Sequence, residues 1–340
     1  MSEKEKDIDF LYLSQKDVRD TGVDMGTALA AVEDAFKLHH RGEVVLPHKV
    51  VLDMDERKRG RGNAMPGYVG GEYHAFGIKW IAGFPGNPAR FGLPRATGLT
   101  ILNDADRGLP LAVMDCTLLS ALRTGAVTGV GARALARPDS ASVAMIGTGV
   151  QARTQLEALK AVLPGLKEVR AYDLRREASE AFAAEARSRH GLEARAVGSA
   201  EEAVRGADVV VTVTVADEPI VKDAWMKPGS FFSAVGSYQE EEFEVVSRSD
   251  LVVVDGLEHV LHRETPVIAL MIKQGLLERE RVLELGAILC GEKPGRTSPR
   301  QRVFFSPIGM AIEDMCLSYR VFRLAEKKGI GTRLSLLSSN

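Results

Sequence analysis

"VAMIGTGVQA", residues 143–152, decides how this chain is read. Val143 to Ile146 form a short apolar run of strand type, and a glycine turn then opens a helical pattern. Gly147 to Ala152 fit G-x-G-x-x-G/A, a weak signal alone and a stronger one where it joins a strand to a helix, as here. In that setting Gly147 makes the tight turn. Gly149 lets the backbone approach a pyrophosphate at the helix N-terminus, where open N–H groups and the helix dipole favour an anion. Ala152 permits close helix–strand packing. Asp173 ends the next strand-like run, "EVRAYD", at the spacing of an acid that grips the adenine ribose. Its carboxylate favours NAD, while Arg175 and Arg176 could accept a 2′-phosphate and keep NADP possible. The plainer alternative is a glycine turn in an α/β domain without a nucleotide.

Working outward, "REASEAFAAEARSRH" has a helical pattern, and "ADVVVTVTV", "SFFSAVG" and "DLVVVDG" read as three more strands. Strands alternating with helices imply a parallel, doubly wound sheet, a Rossmann-type α/β fold. Upstream, Asp24 can cap a helix with Met25, Leu29, Val32 and Phe36 at helical spacing, ended by Gly42. "VVLPHKVVLDM" reads as strand interrupted by Pro47, "DERKRGRGN" as a solvated turn, and Thr117 to about Ala136 as a long helix. A final amphipathic helix carries Ile312, Met315, Tyr319 and Phe322 and stops at Gly329.

The 340 residues suffice for two domains of ordinary globular composition, 45% apolar and 26% charged. A net charge of −2 gives no footprint for nucleic acid or an anionic membrane. No apolar run reaches the ~18 residues of a membrane span, and "MSEKEKDIDF" lacks the apolar core of a signal peptide. Three scattered cysteines suit a reducing compartment. The expectation is a soluble, cytoplasmic protein with no nucleic-acid or membrane partner. His259 and His262 have helical spacing without acidic or thiol companions, so they read as packing or surface residues and no metal is expected.

One upstream stretch needs a purpose. In "FGIKWIAGF", residues 76–84, Phe76, Ile78 and Trp80 share one strand face, and Lys79 points to the other with Gly77 and Ile81. An ammonium on an apolar strand needs an anionic partner. A structural salt bridge or a ligand carboxylate would both serve.

The segments "GIKWIAGFPGNP", "GLTILNDADRGLPLAVMDCTLLSALRTGAVTGVGARALARPDS", "VAMIGTGVQA", "AYDLRREASEAF" and "FSPIGMAIEDM" run in an order that resembles the ornithine cyclodeaminase/μ-crystallin family. The resemblance implies a homodimer that acts on a small amino or imino acid with NAD(P). It implies an α+β substrate-binding and dimerisation domain at 1–125 and 311–340, and a Rossmann domain at 126–310. Substrate carboxylate groups of the family map onto Lys49 in "PHK", Lys79 and Arg123, with Ile308 also lining the substrate. The cofactor set extends to Thr124, Val150, Gln151, Thr214, Val235, Gly236 and Ser237 beside Gly147, Gly149 and Asp173. Lys49 replaces the family's usual arginine with a point charge.

Three further departures matter. The acid that follows "AVGG" in cyclodeaminases is Tyr238 here, in "SAVGSYQEEEFEV". Asn63 stands where they carry a glutamate, and Arg95 where they carry a small hydroxyl residue. Glutamates 240 to 242 could supply an acid or form a solvated turn; Arg95 could pair with a second carboxylate or face solvent. Two acids lost and a base gained turn the expectation from a diamino acid toward a ketimine, a 2-oxo acid plus amine, or an opine-like conjugate. The expected activity is an NAD(P)-dependent ketimine reductase or amino-acid dehydrogenase, with Lys79 or Tyr238 as proton donor. A cyclodeaminase-type lyase with bound NAD and a non-catalytic NAD(P)-binding protein are the alternatives.

Overall fold

The computed structural model describes residues 7–54, 60–216, 218–236 and 238–338. The "DERKR" part of the expected solvated turn and Ser237 of the expected cofactor set lie outside the described residues. The chain divides into two units, residues 1–123 with 310–340, and residues 124–309. The first boundary falls inside the helix Thr117–Leu135.

The first unit is a mixed sheet covered by helices on one face. Its strands run in the order Thr332–Leu337, Ile8–Leu13, Pro110–Asp115, Ala96–Asp104, Ala75–Gly83, Arg61–Val69 and Val44–Val45, with Val50–Asp53 also paired to Arg61–Val69. Among the described residues, only Ile8–Leu13 against Pro110–Asp115 is parallel in this sheet. The helix Met25–His40 is capped by Asp24, whose side chain accepts from the Thr27 N–H. Met25, Leu29, Val32 and Phe36 are all buried. The helix Ala311–Lys328 lies on strands Arg61–Val69 and Ala75–Gly83. A Cβ at Gly77 would come 2.0 Å from the Ile101 carbonyl oxygen on the neighbouring strand, so this position requires glycine, and it would lie 3.1 Å from Met315 Sδ of this helix.

The two faces of that sheet are unequal in an unexpected direction. Lys79 lies between Met65 and Thr100 on neighbouring strands, and all three are buried. The opposite face carries Phe76, Trp80, Leu99 and Ile101, and Trp80 is 41% exposed. The charged residue faces the interior and the large apolar ones face outward.

The second unit is a wholly parallel sheet. Its order is Glu193–Ala196, Glu168–Tyr172, Ser142–Ile146, Val209–Thr212, Phe231–Ala234, Val303–Ser306, Leu251–Val254 and Val282–Glu284. Strand order reverses at Ser142–Ile146, the switch point where such sheets bind ligands beyond their carboxyl ends. The strand Val303–Ser306 enters between two strands made earlier in the chain. Val143 to Ile146, Val209 to Val211 and Val252 to Val254 are buried, as a sheet covered on both faces requires.

Candidate active site

At the switch point Gly147 has φ 88°, a left-handed conformation that suits glycine. A Cβ there would stand 2.9 Å from Thr214 Cγ2. A Cβ at Gly149 would meet nothing within 4 Å, so the crest of the turn opens outward. The helix Val150–Val162 that follows has no side-chain cap, which leaves its first N–H groups for an anion. Val150 is exposed, Gln151 half-buried and Ala152 buried against the sheet. These features fit a dinucleotide pyrophosphate. Asp173 does more than wait for a ribose. Its Oδ2 accepts from Thr148 N and Oγ1, each at 2.9 Å, and its Oδ1 accepts from Arg175 N at 3.0 Å. Burial works to raise its pKa, but the N–H donors of Arg175 and Thr148 outweigh it and hold the carboxyl below its ordinary range. An ionised Asp173 repels a 2′-phosphate. Thr124 lies beside this helix, its carbonyl accepting from Gln155 Nε2 at 3.1 Å.

In the first unit, Lys79 Nζ lies 2.7 Å from Asp314 Oδ2 and donates to Ser120 Oγ at 3.4 Å. Arg123 Nη1 donates to Glu313 Oε2 at 2.9 Å, and its Nε lies 3.2 Å from Asp314 Oδ1. The side chains of Lys79 and Asp314 are 1% and 2% exposed, and that of Arg123 11%. Glu313 also accepts from the Met310 N–H, closing the first turn of the helix Ala311–Lys328. Acids in a first helical turn complement the helix dipole. Two cations and two carboxylates therefore form one buried cluster. Burial lowers the pKa of Lys79, the Arg123 charge lowers it further, and Asp314 opposes both. The anionic partner that the strand demands is thus supplied within the chain.

Other expected residues fall elsewhere. Lys49 precedes the strand Val50–Asp53, whose Val50 pairs with Ala64, and is half-buried. Asn63 pairs with Ile81 on the Lys79 face. Arg95 is exposed and immediately precedes the strand Ala96–Asp104. Ile308 belongs to the second unit, where its N–H and that of Gly309 donate to the buried Asp255. Tyr238 is half-buried in the second unit, on the loop that holds Val235 and Gly236.

The solvated-turn reading of residues 240 to 242 is overturned. Glu240 and Glu241 are fully buried, and Glu242 accepts from the Asp223 N–H. Sequence reasoning also passed over Glu313 and Asp314. The local signal is two adjacent acids in the first turn of an amphipathic helix, a counterpart to one lysine in an apolar strand. Among the described residues, no group of three His, Cys, Asp or Glu side chains could hold a metal ion.

A parallel sheet with a glycine turn at its switch point defines a Rossmann-type dinucleotide-binding class of protein. The family profile described as "Ornithine cyclodeaminase/mu-crystallin family" matches residues 11–329, and the chain belongs to that family. It is 37% identical over 329 residues to an alanine dehydrogenase of Archaeoglobus fulgidus, covering 95% of this chain and 98% of that one. An archaeal alanine dehydrogenase dimer with bound NAD superposes with a TM-score of 0.89 at 35% identity, covering 97% of this chain and all of that one. Δ1-pyrroline-2-carboxylate reductase of Thermococcus litoralis, in complex with NADH and L-proline, gives 0.88 at 33% identity, with coverage of 95% and 99%.

Proposed function

We propose that this chain is an NAD-dependent oxidoreductase acting on the C–N bond of an amino or imino acid, as a ketimine reductase or an amino-acid dehydrogenase. The observation that carries the reading is the buried pairing of Lys79 and Arg123 with two acids, in a chain whose other unit bears the open glycine turn. The relatives named above support it. Gly147, Gly149, Val150, Gln151 and Asp173 hold the cofactor, with Thr124, Thr214, Val235 and Gly236 beside them. When bound, NAD(H) supplies or accepts the hydride at the substrate α-carbon.

Arg123 meets the substrate carboxylate, since part of its side chain is accessible while Glu313 fixes its other edge. Lys79 has three N–H donors; Ser120 accepts from its ammonium while Asp314 pairs with its charge, and a remaining donor serves the substrate. In the reducing direction the imine nitrogen gains a proton as the carbon gains the hydride. Lys79 donates it: burial lowers its proton affinity, which makes the ammonium a readier proton donor. Tyr238 is the other candidate donor. With Tyr238 in place of an acid, Glu240 and Glu241 are buried and Glu242 is engaged by the Asp223 N–H, so no carboxylate among the described residues of this segment is set out for a distal ammonium. That argues for a substrate without one.

The working form is a homodimer, built on the outward sheet face of Phe76, Trp80, Leu99 and Ile101. A monomer seldom leaves so continuous an apolar face to water, and the archaeal relative is a dimer. Free thiols at Cys116, Cys290 and Cys316 suit the cytoplasm.

The deciding experiment is NADH oxidation with Δ1-pyrroline-2-carboxylate and with pyruvate plus ammonia, beside L-ornithine with NAD. Turnover of a cyclic ketimine or of a 2-oxo acid is expected, with Lys79→Ala and Arg123→Ala inactive yet still binding NADH. Rapid stoichiometric proline and ammonia from ornithine would overturn the reading in favour of the lyase.

A further inference from the structure

Glu240 is fully buried, yet its carboxylate is not idle. Its Oε1 accepts from Thr214 N at 2.7 Å and from Thr214 Oγ1 at 2.5 Å. Its Oε2 accepts from Gly236 N at 3.0 Å. Its own carbonyl accepts from Ile220 N and Val221 N, which fixes the backbone that presents the side chain. A Cβ at Gly236 would lie 2.0 Å from Glu240 Oε2, so the approach requires glycine at 236. Thr214 in turn passes its hydroxyl on to the Ala216 N–H as acceptor. Thr214 also packs on Gly147, where a Cβ would be 2.9 Å from its methyl.

These contacts join three loops. Gly147 follows the strand Ser142–Ile146, Thr214 follows Val209–Thr212 and Gly236 follows Phe231–Ala234, three strands adjacent in the sheet. All three loops lie at the carboxyl ends of parallel strands around the switch point, where a dinucleotide is bound. Asp173 stands on the other side of the turn, at the end of Glu168–Tyr172. The adenosine half of the cofactor belongs to the Asp173 side, so the nicotinamide half falls to the loops of Thr214 and Gly236.

We infer that Glu240 is a positioning residue for the nicotinamide half of the NAD site, acting through Thr214 and Gly236 without touching the cofactor. The inference rests on the NAD reading and is independent of the substrate. A carboxylate is the group the place requires, because it faces donors on both sides. A carboxamide can accept on one side only and turns a donor toward a donor on the other.

The test compares NADH with AMP, which needs only the turn and the Asp173 side. For Glu240→Gln, calorimetry is expected to show NADH binding weakened by about tenfold and AMP binding unchanged within about twofold. A merely structural role would weaken both together. In the wild-type protein, NADH but not AMP is expected to slow hydrogen exchange at the Thr214 and Gly236 amides, which keeps the inference testable if the variant does not fold. Equal NADH affinity in the variant, parallel loss of AMP, or no protection of those amides by NADH would overturn it. Wild-type protein that binds neither nucleotide would instead sink the NAD reading itself.

Discussion

Lys79 Nζ and Asp314 Oδ2 face each other at 2.7 Å with almost no access to water. A strand near the start of the chain and a helix near its end are held there by opposite charges. Such a pair adds little net stability, because both ions lose their hydration. Breaking it is another matter, since an unpaired buried charge remains. Lys79→Met or Asp314→Leu alone is expected to cost about 3–5 kcal/mol, and the double variant much less than the sum. Urea unfolding of the four proteins measures the coupling. Additive losses would show that the two charges do not depend on each other.

Asp173 ties the glycine turn through Thr148, and in the proposed cofactor site it would also repel a 2′-phosphate. Asp173→Ala is expected to weaken NADH by about tenfold and to shift the NADPH-to-NADH affinity ratio toward NADPH, with Arg175 and Arg176 at hand. Titration of both cofactors reads the ratio. An unchanged ratio would remove Asp173 from cofactor selection.

Glu241 is fully buried, and neither of its carboxylate oxygens has a hydrogen-bond partner. Burial, with the neighbouring Glu240 charge second, pushes its pKa well above the ordinary range. The folded protein thus keeps a proton on Glu241 that the unfolded chain releases above its ordinary pKa of 4.5. Fewer protons bound on unfolding means that stability falls as pH rises. This contribution is whole below about pH 4.5 and is lost as pH climbs through the raised value. Glu241→Leu is expected to stabilise by about 1–3 kcal/mol. The gain should be larger at pH 8 than at pH 5, by denaturant unfolding at both. A gain that ignores pH would mean that the carboxyl is not the source.

The outward sheet face gives a prediction about assembly. Trp80→Glu with Leu99→Glu puts two charges among Phe76, Ile101 and Tyr12, all partly exposed. Sedimentation is expected to show the wild type at twice its chain mass of 36.8 kDa and the double variant at the chain mass. A wild-type monomer would remove the dimer from the proposal.

The nucleotide fold was legible because each of its signals is local: a glycine turn between a strand and a helix, then alternating elements. Alternation in "FGIKWIAGF" correctly separated Lys79 from Trp80. It could not say which face is covered, and the natural guess, apolar inside, is reversed here. Asp314 and Glu313 were invisible as partners because a contact across most of the chain leaves no spacing to read. Glu240 and Glu241 looked like a solvated run because charge next to charge usually is. What satisfies the buried Glu240 is the N–H of Gly236 on its own loop and the N–H of Thr214 on another.

The acids at 313 and 314 have a consequence for how the protein is made. The second unit is continuous in the chain, from 124 to 309, and can close as soon as it leaves the ribosome. The first unit cannot. Lys79 and Arg123 emerge early, and their carboxylate partners come only after the whole of the other unit. Until then Lys79 and Arg123 lack the two acids that pair with them, and the strand Ile8–Leu13 lacks its neighbour Thr332–Leu337. Translation thus imposes an order: the nucleotide fold first, and the cation site last, sealed by the helix that carries its counter-charges.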